Sequence, residues 1–204
     1  RIPYDVGYYD LNNVETWKKQ IELAKQYGVY GFSFYFYWFS GERIMEKPIN
    51  DFLGNKDLKF PFCLTWANEN WGALWDGCNK ELMYEQQFLA GDDEKIMIDL
   101  EKFFRDERYI KIDGKPIFII YRGNKWSIEE TAHVISSIRI QARAKDLGEL
   151  YIVVTNAYNF SHNIEEIGAD AMAEFPPHGV AKSCKHLGVE GYINPDCIIP
   201  QILS

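Results

Sequence analysis

The sequence predicts an α/β protein, a parallel sheet with flanking helices, and three observations lead there. Apolar or aromatic runs of strand length, at residues 30–39, 60–66, 117–121, 151–155 and 169–175, alternate with longer stretches of helical periodicity. Strands separated by helices pair in parallel through right-handed crossovers. Each run also ends on polar or aromatic side chains: Tyr37-Trp38, Asn68-Glu69, Tyr121-Arg122, Asn156 and Glu174. Both a doubly wound sheet and a (β/α)8 barrel satisfy the alternation. The polar strand ends favour the barrel, because barrel enzymes build one site from the loops after several strands. A nucleotide-binding sheet would show a glycine-rich first turn, and neither G-x-G-x-x-G nor a P-loop occurs.

Taken in order, residues 1–11 form a polar lead-in with Tyr4, Tyr8 and Tyr9 around Gly7. Asn12 and Glu15 have capping-box spacing, Val14, Trp17, Ile21 and Ala24 follow at helical spacing, and Gly28 closes the helix. Residues 30–39 are so rich in aromatics that only a strand accommodates them. Period two puts Tyr30, Phe32, Phe34 and Phe36 on a face for helix packing, and Gly31, Ser33, Tyr35 and Tyr37 on the other. For Tyr35 and Tyr37 two readings stand side by side, packed core or the lining of a wet site. Residues 42–53 suggest a short helix ending before Gly54-Asn55, and residues 85–90 fit neither period. Asp92, Asp93 and Glu94 place negative charge at a helix start, with Ile96, Leu100, Phe103 and Phe104 as its apolar face. Asp113-Gly114 turns the chain into the strand at 117–121. Ser127 and Glu130 form a second capping box, opening a helix that runs toward Gly148. The strand at 151–155, a short helix near 163–167 and the strand at 169–175 complete the pattern. Residues 1–178 are therefore expected to be the central part of one barrel domain, and 179–204 a loop or the start of the next βα unit.

Composition bounds the function. The chain has 204 residues, 47% of them hydrophobic, enough for one domain with a sizeable core. A net charge of −8 without a basic cluster argues against binding nucleic acid. No apolar run has the length to span a bilayer, so no membrane insertion is expected. Cys63, Cys78, Cys184 and Cys197 form no C-x-x-C pair. They read as reduced thiols in a cytoplasmic setting, with a Cys184–Cys197 bridge as the alternative.

Residues 60–76 carry the chemistry. An apolar strand stops abruptly at Asn68-Glu69-Asn70, with Trp66 before and Trp71, Trp75 and the Asp76-Gly77 turn after. Carboxylates and amides hydrogen-bond hydroxyls, and indole faces cover the apolar C–H face of a sugar ring. The competing reading is a loop whose tryptophans are core and whose Glu69 pairs with an arginine.

Gly7-Tyr8-Tyr9-Asp10, Tyr27-Gly28-Val29-Tyr30-Gly31-Phe32 with Tyr37-Trp38-Phe39, Trp66-Ala67-Asn68-Glu69-Asn70-Trp71, Trp75-Asp76-Gly77, Phe103-Phe104-Arg105-Asp106 with Arg108-Tyr109, and Asp113-Gly114-Lys115-Pro116 resemble the WbsX family. These are glycosyltransferases of lipopolysaccharide O-antigen and capsule biosynthesis, similar in turn to the (β/α)8 endo-α-mannosidases of glycoside hydrolase family 99. The resemblance runs from Arg1 to about His178. It implies a carbohydrate-active protein with a cell-surface polysaccharide or lipopolysaccharide role. The paired glutamates of those families sit in an Asn-Glu-Trp-x-Glu-Gly motif that this sequence lacks, and a strand before the lead-in is missing too. Five strands where a barrel has eight agree with a chain covering the middle of a barrel.

The expected partner is an oligosaccharide or polysaccharide. Breaking or forming a glycosidic bond needs two carboxyl groups, and Glu69 and Glu174 are the pair the strand ends offer. Tyr35, Tyr37, Trp38, Trp66, Asn68, Asn70, Trp71, Trp75, Asp76, Tyr121 and Arg122 would position the sugar, Arg122 alternatively pairing with Glu69 or Glu174. No cofactor is implied. An Asp-x-Asp pair is absent, and His133, His162, His178 and His186 are dispersed, so no metal site is expected. A non-catalytic carbohydrate-binding domain using the same residues is the alternative function.

Overall fold

The computed structural model describes residues 7–72, 82–157 and 160–175. Helix α1 (Val14–Gln26) opens on Asn13, whose side chain accepts from the Glu15 N–H, one residue later than the capping spacing suggests. Strand β1 (Phe32–Phe39) follows, then β2 (Glu42–Ile44) and helix α2 (Lys47–Gly54). Next come β3 (Phe62–Trp66), β4 (Trp71–Gly72), β5 (Leu82–Tyr84) and helix α3 (Asp92–Phe104). The remainder is β6 (Lys111–Ile112), β7 (Lys115–Ile120), helix α4 (Ile128–Ala144), β8 (Tyr151–Asn156) and β9 (Ala171–Glu174). The capping box expected at Ser127 is complete, each partner's side chain accepting from the other's backbone N–H.

Strands β1, β3, β7, β8 and β9 lie side by side in that order, all parallel. Spatial order follows chain order without reversal. A doubly wound sheet reverses at its switch point, whereas strands wound one way around are the arrangement a (β/α)8 barrel requires. Among the described residues the sheet stays open, consistent with part of such a barrel.

Register sorts the side chains. Phe34, Leu64, Phe118 and Ile152 occupy one row, and Phe36, Trp66, Ile120 and Val154 the next. Both rows lie under the helices: Trp17 of α1 meets Phe34 at 5.7 Å, Phe52 of α2 meets Phe62 at 5.4 Å, and Phe104 of α3 meets Phe118 at 6.1 Å. Val134, Ile135 and Ile138 of α4 join the same buried cluster. The alternate residues, Ser33, Tyr35 and Tyr37 with Thr65, Ile119, Val153 and Thr155, form the opposite face.

Two expectations are corrected. The start of the helix expected over 42–53 is the short strand β2, hairpinned onto β1 with Phe39 opposite Glu42. The turn residues Ser40 and Gly41 both have positive φ, 48° and 98°, which is the backbone a two-residue hairpin needs. The helix itself begins only at Lys47, with Pro48 in its first turn. Residues 163–167 form a turn rather than a helix. The Asn163 side chain accepts from the Glu165 N–H, and Gly168 at φ 75° ends a stretch too short to nucleate more.

The start of the barrel-like sheet is held by a polar knot. Asp106 is bound by Arg108 at 2.8 and 2.9 Å and by Lys56, while Arg108 also donates to the carbonyls of Phe52, Leu53, Asn55 and Leu58. Burial opposes ionisation of Asp106, but these donors outweigh it and hold the carboxyl well below its usual range. The buried Tyr109 hydroxyl donates to the Ile117 carbonyl at 2.6 Å and accepts from the Leu64 N–H at 3.1 Å, joining β3 to β7.

Candidate functional site

Five aromatic rings run unbroken across the C-terminal ends of the parallel strands. Trp71 meets Tyr37 at 5.0 Å, Tyr37 stacks near Tyr35 at 5.9 Å, Tyr35 meets Tyr121 edge-on at 6.0 Å, and Tyr121 meets Phe175 at 5.0 Å. Strand alternation explains the row, since Tyr35, Tyr37 and Tyr121 all fall on the face away from the helices. Tyr35 remains 43% exposed and Tyr37, Trp71 and Phe175 are half-buried, whereas Tyr121, 7% exposed, is buried beneath its neighbours. Below the row the Ser33 and Thr65 hydroxyls pair at 2.6 Å, and Thr155 donates to the Tyr121 carbonyl at 2.6 Å, fixing the end of β7.

Charged groups edge this row. Arg122 Nη1 lies 3.7 Å from Glu69 Oε2, both side chains partly exposed. Burial, with the neighbouring Tyr35 and Glu69, raises the Tyr37 hydroxyl above its ordinary range. Lys125 lies beside them. Burial and the nearby Arg122 lower its pKa.

Several residues expected to touch sugar have other partners. Trp38 and Trp66 are 0% exposed. Both belong to the helix-side rows, where the Trp38 indole N–H donates to Asp99 at 3.1 Å and that of Trp66 donates to the Trp38 carbonyl at 3.3 Å. Asn68 is also 0% exposed: its amide donates to the Arg122 carbonyl at 2.9 Å and its oxygen accepts from the Arg122 N–H at 2.7 Å. This side chain replaces the next rung of the ladder after Tyr121 N–H to the Trp66 carbonyl. Asn70 Oδ1 accepts from the Gln86 N–H at 2.9 Å and from Lys125 Nζ at 2.8 Å. Trp75 and Asp76 lie outside the described residues.

The two nominated carboxylates have different partners. Glu69 stands at the aromatic row, whereas Glu174 is in register with Asn156, whose amide donates to it at 3.0 and 3.2 Å. Period two puts Glu174 in the row of Met172 and Val154, opposite in sense to Phe175. Phe175 itself is absent from the expected set. Its signal was the alternation Ala171, Ala173, Phe175, readable only once β9 is registered against Val153 and Thr155. Among the described residues no three His, Cys, Asp or Glu side chains lie together as a metal site would need, and no helix is long and apolar enough to cross a membrane.

Comparison with known proteins fits this geometry. A "Glycoside hydrolase-like protein" shares the fold at a TM-score of 0.57 and 16% identity, over 85% of this chain and 54% of that one. Two Xanthomonas campestris pv. campestris strains, B100 and ATCC 33913, each have an "Uncharacterized protein WxcX" that is 32% identical over 178 residues, 87% of this chain. The chain spans about a quarter, 25%, of the length of these curated relatives. The profile described as "Glycosyltransferase WbsX" matches residues 1–194, and the chain belongs to that family.

Proposed function

We propose that this chain supplies the sugar-binding face of a protein that transfers or hydrolyses glycosidic bonds in cell-surface polysaccharide or lipopolysaccharide metabolism. The observation that carries the reading is the row Trp71–Tyr37–Tyr35–Tyr121–Phe175 at the strand ends. Aromatic faces bind the C–H faces of pyranose rings, and phenol hydroxyls, Glu69 and Arg122 bind their hydroxyl edges. Family membership supports a carbohydrate-active protein. Trp38, Trp66 and Asn68 act as scaffold in this reading, holding the strand ends in place.

Glu69 is the carboxylate beside the bound sugar. Glu174 ends β9, three strands on from β3 in the sheet. The direction of Glu174, turned to the other row and held by the Asn156 amide, disfavours the two as one catalytic pair. It also supports the second reading, in which the described face binds saccharide without completing the chemistry.

Titrating the chain with oligosaccharides tests the proposal, using Trp71 fluorescence for binding and reducing-end release or sugar transfer for turnover. Saturable quenching that disappears in Trp71→Ala is the expected result. Quenching without product selects the binding reading. Absence of saturable binding across neutral, amino and acidic oligosaccharides overturns both.

A further inference from the structure

We infer that a cleft beside the first turns of α4 is a second saccharide subsite, for a neutral or amino sugar unit, separate from the aromatic row. This rests on the saccharide reading above. The cleft holds about 580 Å³ and is lined by, among others, Gln86, Phe88, Lys125, Trp126, Glu129 and His133. That volume lies within the roughly 300–1,000 Å³ of small-molecule sites.

Three features define its ligand. Trp126 packs against Trp66 at 5.9 Å and also lines the cleft, and Phe88 packs against Trp66 at 6.2 Å, so the wall is a rigid aromatic surface suited to a C–H face. Gln86 is only 2% exposed; its amide nitrogen donates to the Gln87 carbonyl at 3.0 Å, but its Oε1 is buried with no hydrogen-bond partner among the described residues. Native proteins rarely leave a buried acceptor unpaired, and such a group seeks a donor, which a hydroxyl or an ammonium supplies. Oε1 has no surface open to the cleft, so a bound donor reaches it only when the amide rotates away from the Gln87 carbonyl.

Charge decides between ligand classes. Glu85, Glu129 and Glu130 line the cleft with Lys125 as the cation. Lys125 already donates to Asn70, and Ser127 and Glu130 close the α4 N-terminus to an anion. Uronic acids are therefore disfavoured, and hydroxyl- or ammonium-bearing sugars are favoured.

The test is NMR titration of the 204-residue chain with a glucosamine disaccharide, cellobiose and a galacturonic acid disaccharide, following the Trp126 and Trp71 indole signals and the Gln86 side-chain amide. Expected are saturable shifts of Trp126 and Gln86 with the first two sugars, affinity for the glucosamine disaccharide about tenfold above the acidic one. Both shifts persist in Trp71→Ala, and the Trp126 shift disappears in Gln86→Leu. Glu129→Gln, on the exposed rim, lowers the preference for the amino sugar without affecting the fold. Shifts at Trp71 alone overturn the second subsite and leave the aromatic-row reading intact. Shifts at Trp126 and Gln86 alone retain the subsite and remove the row. No saturable shift at either place overturns both.

Discussion

Arg122 and Glu69 stand just beyond the ends of neighbouring parallel strands, Nη1 3.7 Å from Oε2, with side chains 25% and 31% exposed. A pair this loose and this wet contributes about 0–1 kcal/mol to stability. It is a poor structural brace, and the proposed function gives Glu69 a second role, reading sugar hydroxyls. Glu69→Gln is therefore expected to leave the thermal midpoint within a degree or two, while weakening oligosaccharide binding by roughly tenfold, a change of about 1.4 kcal/mol. Calorimetry of the variant with and without sugar checks both halves. Unchanged affinity would remove Glu69 from the site.

Asn68 should behave in the opposite way. Its fully buried amide satisfies both backbone groups of Arg122. Asn68→Ala removes the partner of a half-buried N–H and a half-buried carbonyl, each loss costing about 1–3 kcal/mol at most. Denaturant unfolding is expected to show a loss of roughly 2–4 kcal/mol. A loss below about 0.5 kcal/mol, within the range of ordinary surface substitutions, would show that the clamp does not hold the strand ends.

Tyr37 and Glu69 are linked electrostatically. Burial raises the Tyr37 pKa first, and the carboxylate of Glu69 adds to it by opposing a second negative charge nearby. Removing that charge works in the other direction, so Glu69→Gln lets Tyr37 ionise at lower pH. Phenolate absorbance, with Tyr37→Phe subtracted to isolate this tyrosine, measures the shift. A Tyr37 that titrates identically in both backgrounds would contradict the contact.

Asp106 makes acid stability local. Its folded-state pKa lies well below the ordinary 3.8, the Arg108 and Lys56 hydrogen bonds outweighing burial. A depressed carboxyl pKa contributes stability that is present above the unfolded value and lost as pH falls toward the folded one. The urea midpoint is thus expected to drop below about pH 4 and to keep dropping through the acid range. In Asp106→Asn the protein is less stable at neutral pH and this part of the acid dependence is missing. Parallel pH profiles for the two proteins would be the contrary result.

Local sequence was enough for much of the architecture. The apolar periods of α1, α3 and α4, the Ser127 box, and the apolar or aromatic runs that become β1, β3, β7, β8 and β9 are patterns spread over a few residues, so they are legible without a fold. The Ser40-Gly41 hairpin was not, because a single serine at positive φ gives little local warning of a reversal.

What the sequence by itself determined, then, is a set of parallel strands whose ends carry aromatic, amide and charged side chains. Which of those side chains stay at the surface of the strand ends and which are buried was a tertiary decision. Trp38 and Trp71 are equally aromatic, yet strand parity buries the first under α3 and the turn after β3 brings the second to Tyr37. Asn68 and Asn70 are the same residue two positions apart, one consumed by the backbone of β7's end and the other by Gln86 and Lys125. Glu174 and Phe175 are neighbours in the chain, and register alone gives Phe175 to the aromatic row. Side-chain direction alternates with every residue of a strand, so one step of register exchanges site for scaffold, and register is set only by the neighbouring strand.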